Sequence, residues 1–226
     1  METNAPSKRT TVRRGKNRAV YASDAVTDVL RAGLIAHVGV ETNDGPIVLP
    51  MAYGVREGHI LIHGAVANAM LRAGRTLDVC VTVTIVDGLV VARTPFHNSM
   101  NYRSVVIRGT ASAIDDPTEK ATALRAINDH AVDTWESARA PSESDFTKTL
   151  VLSVPLTEAS AKIRGGDPVD EDKDLDGPHW AGVVPILTTW GKARPAADLR
   201  GNPAAPDTVI AIAGSNVHPI SSTMER

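Results

Sequence analysis

Leu77–Val86 alternates with almost no break: Val79, Val81, Val83 and Ile85 fall on one side of an extended backbone, Cys80, Thr82 and Thr84 on the other. A segment patterned this way is stable only as a strand with one buried face, so the chain must build a sheet with an inside and an outside. The same period appears in Leu34–Val40, in Ile47–Val55 and in His59–His63. Asn43-Asp44-Gly45 joins the first two as a hairpin, and Glu57-Gly58 turns the chain into the third. Asp87-Gly88 reads as another turn, sending Leu77–Val86 back into Leu89–Thr94. Tyr102–Ile114 is a long strand with Gly109 as a bulge, and Leu150–Leu156 closes the series.

Helices are few and short. Ser23 is placed to cap one whose apolar residues Val26, Val29 and Leu30 share a face, with Gly33 as its stop. Residues 66–73 predict a second, Asp116-Pro117 opens a third through about Val132, and Pro141-Ser142 opens a fourth. Alternating strand and helix units are absent, which predicts a mostly β chain with short helices around a small, closed antiparallel sheet. A length of 226 residues over about 150 per domain predicts one domain with decorated ends. These are a basic arm over residues 1–18, a barrel domain over 19–195 with an acidic loop at 167–176, and a Pro/Ala-rich extension over 196–226. The arm carries Lys8, Arg9, Arg13, Arg14, Lys16 and Arg18 against Glu2, and reads either as a solvated tail or as a strap over an anionic ligand. The acidic loop reads as solvated surface or as counter-charge to a partner's arm.

Composition removes several function classes. The formal charge of −2 and an aromatic content of 4% argue against the chain as a whole being an electrostatic or base-stacking nucleic-acid binder, leaving only a local basic patch open. One cysteine, Cys80, excludes an internal disulfide and a multi-thiolate metal site, and on its Val-rich strand it reads as a small buried hydrophobe. No apolar run approaches the ~18 residues of a membrane span, so a cytoplasmic protein without a membrane partner is expected. GxxxxGK[ST], GxGxxG, HExxH and GxSxG are all missing. Asp170, Asp172 and Asp174 imitate a calcium loop, but Leu175 replaces the required Gly and Ala181 the bidentate Glu. His37, His59, His63 and His97 have no metal spacing, so no metal site is expected, although a haem held by a single His stays open.

Two segments carry chemistry. His63-Gly64-Ala65 ends a strand where small residues let backbone N–H groups approach an anion, with Asn68 able to add an amide. Thr94–Ser104 crowds polar side chains at the mouth of a long strand and ends in Arg103, whose fork suits either a phosphate or an internal salt bridge.

At these segments the chain resembles the pyridoxamine 5′-phosphate oxidase-like family of FMN-binding split barrels, in particular its nitroimidazole-resistance-type branch. The resemblance rests on Val38-Gly39, Pro50-Met-Ala-Tyr-Gly54, His63-Gly64-Ala65, Val79–Val91 and His97-x-Ser-Met-Asn-Tyr-Arg-Ser104, followed by Ser160-Ala-Lys-Ile-Arg164 and Trp180–Pro185. It implies a six-stranded antiparallel split β-barrel, a homodimer, and FMN between subunits. By position, Met51 and Tyr53 would lie along the isoalloxazine edge, and His63, Gly64, Ala65 and Asn68 near the ribityl phosphate. Arg103 and Ser104 would reach the cofactor at the subunit boundary, with Trp180 near the ring and His97 and Tyr102 toward a small-molecule substrate. The implied function is flavin-dependent oxidoreduction. The flavin carries the hydride, so the sequence marks no catalytic acid or nucleophile.

Two positions depart from the family pattern, Asn68-Ala69 where Ser-Arg is usual and Asn98 where a second His is usual. Losing an Arg beside a phosphate removes about 1.5–3 kcal/mol, one to two decades of affinity. The alternatives are therefore a replacement charge from Arg13, Arg14 or Arg18, a deazaflavin or haem cofactor, a binding protein for flavin, haem or a small acid without turnover, or a specialised-pathway enzyme that has discarded flavin.

Overall fold

The computed structural model describes residues 5–66 and 76–219. Among them, nine strands form one antiparallel sheet: β1 (Ala19–Val20), β2 (Ile35–Thr42), β3 (Gly45–Arg56), β4 (His59–Ala65), β5 (Thr76–Val91), β6 (Ser99–Ala113), β7 (Thr149–Pro155), β8 (Ala159–Arg164) and β9 (Gly182–Pro185). Pairing runs β5–β2–β3–β4–β7–β6 and returns from β6 to β5, while β8 and β1 continue outside β6 and β9 lines the end of β5. The β6–β7 contact is thin, only Ser112 with Ser153 and Ala113 with Leu152. The sheet thus has nine strands where six were expected. The three additions escape the periodicity because β1 and β9 are too short to show one and β8 buries Ala159, Ser160 and Ala161 in succession.

The parity read from Leu77–Val86 holds: Val79, Val81, Val83 and Ile85 are buried with Val38, Val105, Ile107 and Ala161 in the main core. Asp87-Gly88, however, is no turn. β5 continues through it, because Val86 and Gly88 both pair with β6, opposite Tyr102 and Asn101, leaving Asp87 as a bulge. Gly109 keeps register with Val79 and is not bulged. Strand β6 begins at Ser99, inside the segment expected to be loop.

Helix α1 (Ser23–Ala32) starts after Ala22, and the Ser23 side chain does not cap it. Gly33 ends it with φ −85°, so its role is space. A Cβ there would sit 2.4 Å from Val83 Cγ1 and 2.8 Å from the Tyr53 hydroxyl. Helix α2 (Pro117–Asn128) is capped by the Asp116 carboxylate and stops short of Val132, and α3 (Glu143–Thr147) carries a Ser142/Asp145 capping box. Two further short helices are α4 (Asp172–Leu175) and α5 (Asp207–Ala211). All but Val66 of the helix expected over 66–73 lies outside the described residues. No described helix is long and apolar enough to cross a membrane.

The first and last described segments both pack back onto the fold. Arg9 of the basic arm pairs with Asp78 at 3.4 Å and Glu158 at 3.6 Å, and Val12 N–H donates to the Tyr21 hydroxyl. At the other end Thr189 bridges Asn216, Val217 is buried, and His218 Nδ1 donates to the Ala32 carbonyl at 2.7 Å.

One core group makes the fold acid-sensitive. The His130 ring lies 4.4 Å from Tyr53 and its Nε2 donates to the Gly33 carbonyl at 2.7 Å. Burial pushes its pKa below the ordinary value, outweighing the hydrogen bond. The unfolded chain therefore binds more protons here, and the stability contribution is complete above about pH 6.5 and lost as pH falls toward the lower folded pKa. Replacing His130 by Gln, which keeps a donor, is expected to flatten unfolding free energy against pH below about 6.5. Denaturant melts across that window check it, and an unchanged slope rejects the assignment.

Candidate functional site

Cross-strand register lays out the outer face of the sheet in rows. Thr84, Ser104 and Lys162 form one, and Val86, Tyr102 and Arg164 form the next. On β3 the outward residues are Pro50 and Ala52; Ala52 pairs with Ile35 of β2, which is also exposed. The alternation turns Met51 and Tyr53, the residues expected along a flavin edge, toward the core. Tyr53 is 1% exposed, and its hydroxyl donates to the Leu30 carbonyl at 2.5 Å. Burial pushes that phenol far up, so it is a neutral core donor. Met51 packs against the same core, leaving Pro50 and Ala52 as the exposed residues of that stretch.

Arg103 is also on the inner side. It is 3% exposed; Nε donates to Asp87 Oδ2 at 3.0 Å and Nη2 to Asp87 Oδ1 at 2.7 Å. Nη2 also meets the His218 carbonyl at 2.9 Å, and Nη1 the Pro219 carbonyl at 2.8 Å. With its fork taken by the bulge carboxylate and the C-terminal backbone, Arg103 is an internal clamp in this structure, the second of the two roles its chemistry allowed. Its neighbour Ser104 faces outward, with Oγ donating to the Lys162 carbonyl at 3.2 Å.

The loop before β6 is fixed by the acidic segment. Asp170, its side chain fully enclosed, accepts from Arg93 N–H at 3.2 Å and from Arg93 Nη1 at 3.0 Å. His97 Nδ1 lies 3.5 Å from the same carboxylate. Burial pulls the Asp170 pKa up, but the Arg93 bonds, His97 and the Arg93 charge together lower it. This part of the 167–176 loop is therefore an intramolecular brace, not free surface. Asn98 closes the loop by accepting from Ala92 N–H at 2.8 Å. His97 is partly exposed, while Phe96 beside it is 96% exposed.

His63, Gly64 and Ala65 end β4. His63 Nδ1 is buried without a partner among the described residues, and burial lowers its pKa, favouring the neutral imidazole. Asn68 and Ala69 lie outside the described residues. Trp180 is exposed, its ring packed where a Cβ on Gly182 would come within 2.8 Å, and Leu89, Met100, Val184 and Ile186 add exposed apolar surface around β9. No group of three or more metal-ligating side chains is found among the described residues.

Asp87, Arg93 and Asp170 were not anticipated as site-shaping residues. The available signal was an Asp-Gly pair inside an unbroken alternation, which favours a bulge as much as a turn.

Comparison with known proteins agrees with this architecture. The pyridoxamine 5′-phosphate oxidase family pattern matches residues 22–163. The flavocytochrome Anf3 from Azotobacter vinelandii is 34% identical over 92% of this chain and 98% of its own, with a TM-score of 0.88. A FAD and heme binding protein from Mycobacterium smegmatis is 29% identical over 89% of this chain and 100% of its own, with a TM-score of 0.84. A candidate 5-nitroimidazole antibiotic resistance protein from Bacteroides thetaiotaomicron, 22% identical over 64% of this chain and 86% of its own with a TM-score of 0.54, shares the fold. No match is found among curated proteins. With more than half of its length inside the family pattern and a split-barrel architecture, this chain belongs to the pyridoxamine 5′-phosphate oxidase family.

Proposed function

We propose that the chain is a flavin-binding redox protein that works as a homodimer on a small molecule, with FMN as the first candidate cofactor. The observation that carries this is the likeness, over 92% and 89% of the chain, to a flavocytochrome and to a protein that binds FAD and haem. The residues present fit a flavin. Pro50, Ala52 and exposed Ile35 and Val86 supply an apolar outer face, Ser104 and Lys162 a polar end, and His63 a buried ring nitrogen without a described partner.

A bound flavin supplies hydride and single-electron transfer. The protein's share is orientation: Pro50 and Ala52 support the ring, Gly64 and Ala65 leave room for close backbone approach, and Trp180 shields from the side of β9. His97, whose Nδ1 lies 3.5 Å from the Asp170 carboxylate, keeps Nε2 for a substrate, and Tyr102 stands one row from Ser104. Arg103 and Tyr53 are not assigned to the cofactor, because both are bonded inside the fold. Exposed Ile47 and Val48 on the β2–β3 hairpin supply apolar surface for a second copy.

The test is the absorption spectrum of freshly purified protein, followed by dialysis equilibrium with FMN, FAD and a deazaflavin and by sedimentation. Flavin bands, or saturable uptake of one of these, on a dimer are expected. A colourless monomer that retains none of them overturns the proposal. A haem reading is favoured by one observation, the His63 imidazole whose buried Nδ1 has no partner among the described residues and whose pKa burial lowers, and predicts a Soret band that His63→Ala abolishes.

A further inference from the structure

Among the described residues an unusual charged group is Arg164, at the end of β8. It is 8% exposed, yet its acceptors among the described residues are all neutral: the Asn101 side-chain oxygen, the Gly166 carbonyl at 3.2 Å and the Asp167 carbonyl at 3.2 Å. Its Nε is buried with no partner among the described residues, and no carboxylate there lies within ion-pair distance. Burial, then the like charge of Arg18, lowers its pKa, with Tyr102 opposing. Lys162 stands one row away beside Ser104. Gly15, at φ +61°, turns the basic arm so that its α-carbon lies against both side chains: a Cβ there would be 3.6 Å from Lys162 Nζ and 3.7 Å from Arg18 Cδ.

A desolvated guanidinium with only dipoles around it among the described residues, close to the charge of Arg18 and two positions along the strand from Lys162, is an unbalanced arrangement unless an anion completes it. Three cations call for more charge than one carboxylate brings, and the Nε edge suits a tetrahedral oxyanion. We propose that Arg18, Lys162 and Arg164 form a binding site for a phosphate or diphosphate group, with Tyr102 and Ser104 at its edge. The site deepens the flavin reading if the phosphate is the cofactor's own and stands without it if the phosphate belongs to a separate ligand.

Isothermal titration of the full-length protein with pyrophosphate, riboflavin, FMN and FAD tests it, using the wild type, Lys162→Met and Arg18→Gln, neither of which removes a buried group, and Arg164→Gln as the stronger variant. Pyrophosphate binding that weakens at least tenfold in Lys162→Met and Arg18→Gln is expected. A parallel tenfold loss for FMN and FAD but not riboflavin identifies the flavin phosphate as the occupant. Unchanged flavin affinities beside lost pyrophosphate binding identify a separate phosphorylated ligand. Pyrophosphate and flavin affinities that are absent or identical in all variants overturn the site. Failure of flavin binding alone, with pyrophosphate binding retained, rejects the flavin reading and leaves this site standing.

Discussion

Replacing Gly54 by Val is expected to cost about 3 kcal/mol of stability, lowering the melting temperature by roughly 6–12 °C in a chain this size. Gly54 has ordinary backbone angles for a strand, so the penalty is one of space. A Cβ there would lie 2.6 Å from the Ala126 carbonyl oxygen, 2.7 Å from its carbon and 2.8 Å from Ile127 N, all backbone of α2. Backbone cannot rotate out of the way as a side chain can, so α2 must lift from β3. Lifting it opens the second core, where Ala123 and Ile127 pack on Leu61 and Val151. Gly191→Ala is the control, since nothing lies within 4 Å of its Cβ position. Thermal melts of the two variants decide the matter: a Gly54→Val protein as stable as Gly191→Ala would show that α2 is not seated on that strand.

The same close contact shows what a sequence reveals and what it hides. Val79, Val81, Val83 and Ile85 announce a strand and its inner face through spacing alone, because a sheet of this kind buries every second residue. Gly54 and Gly33 announce only that a small residue is tolerated. Which neighbour demands it, α2 in one case and Tyr53 with Val83 in the other, is a long-range fact. Strand β8 was hidden for the converse reason. Flanked by β6 on one side and β1 on the other, it is buried on both faces at its start and shows no alternation.

At the candidate site, parity was legible but its phase was not. Pro50–Tyr53 was readable as a strand, yet Tyr53 turns inward, where its hydroxyl satisfies the Leu30 carbonyl. Arg103 could equally have been a ligand residue or an internal ion pair by chemistry. Parity decides it: Arg103 shares the buried side with Val105 and Ile107, while Tyr102 and Ser104 share the outer side with Arg164 and Lys162. The cations that face outward were thus present in the Ser160–Arg164 segment, but nothing local distinguished them from a solvated strand edge.

The largest effect is expected from Asp87→Ala. The Asp87 side chain is 22% exposed and that of Arg103 only 4%, so removing the carboxylate strands a guanidinium where water does not reach it freely. Breaking one partner of such a pair costs about 3–5 kcal/mol, well above the worth of an exposed ion pair. The His218 and Pro219 carbonyls would still accept from Arg103, but two neutral acceptors do not replace a bidentate carboxylate. The loss should spread to the C-terminal segment, because Arg103 is what its last described carbonyls hold; faster amide exchange around Val217 and His218 is the local sign. Asp87→Ala with Arg103→Met removes both charges and should recover most of the stability, since an apolar side chain at that inner position has no desolvation to repay. Denaturant unfolding of the two single variants and the double variant measures the coupling. An Arg103 that served a cofactor instead would give the opposite pattern, near-normal stability with flavin binding lost in Arg103→Met, and that result would remove the clamp from the account of this fold.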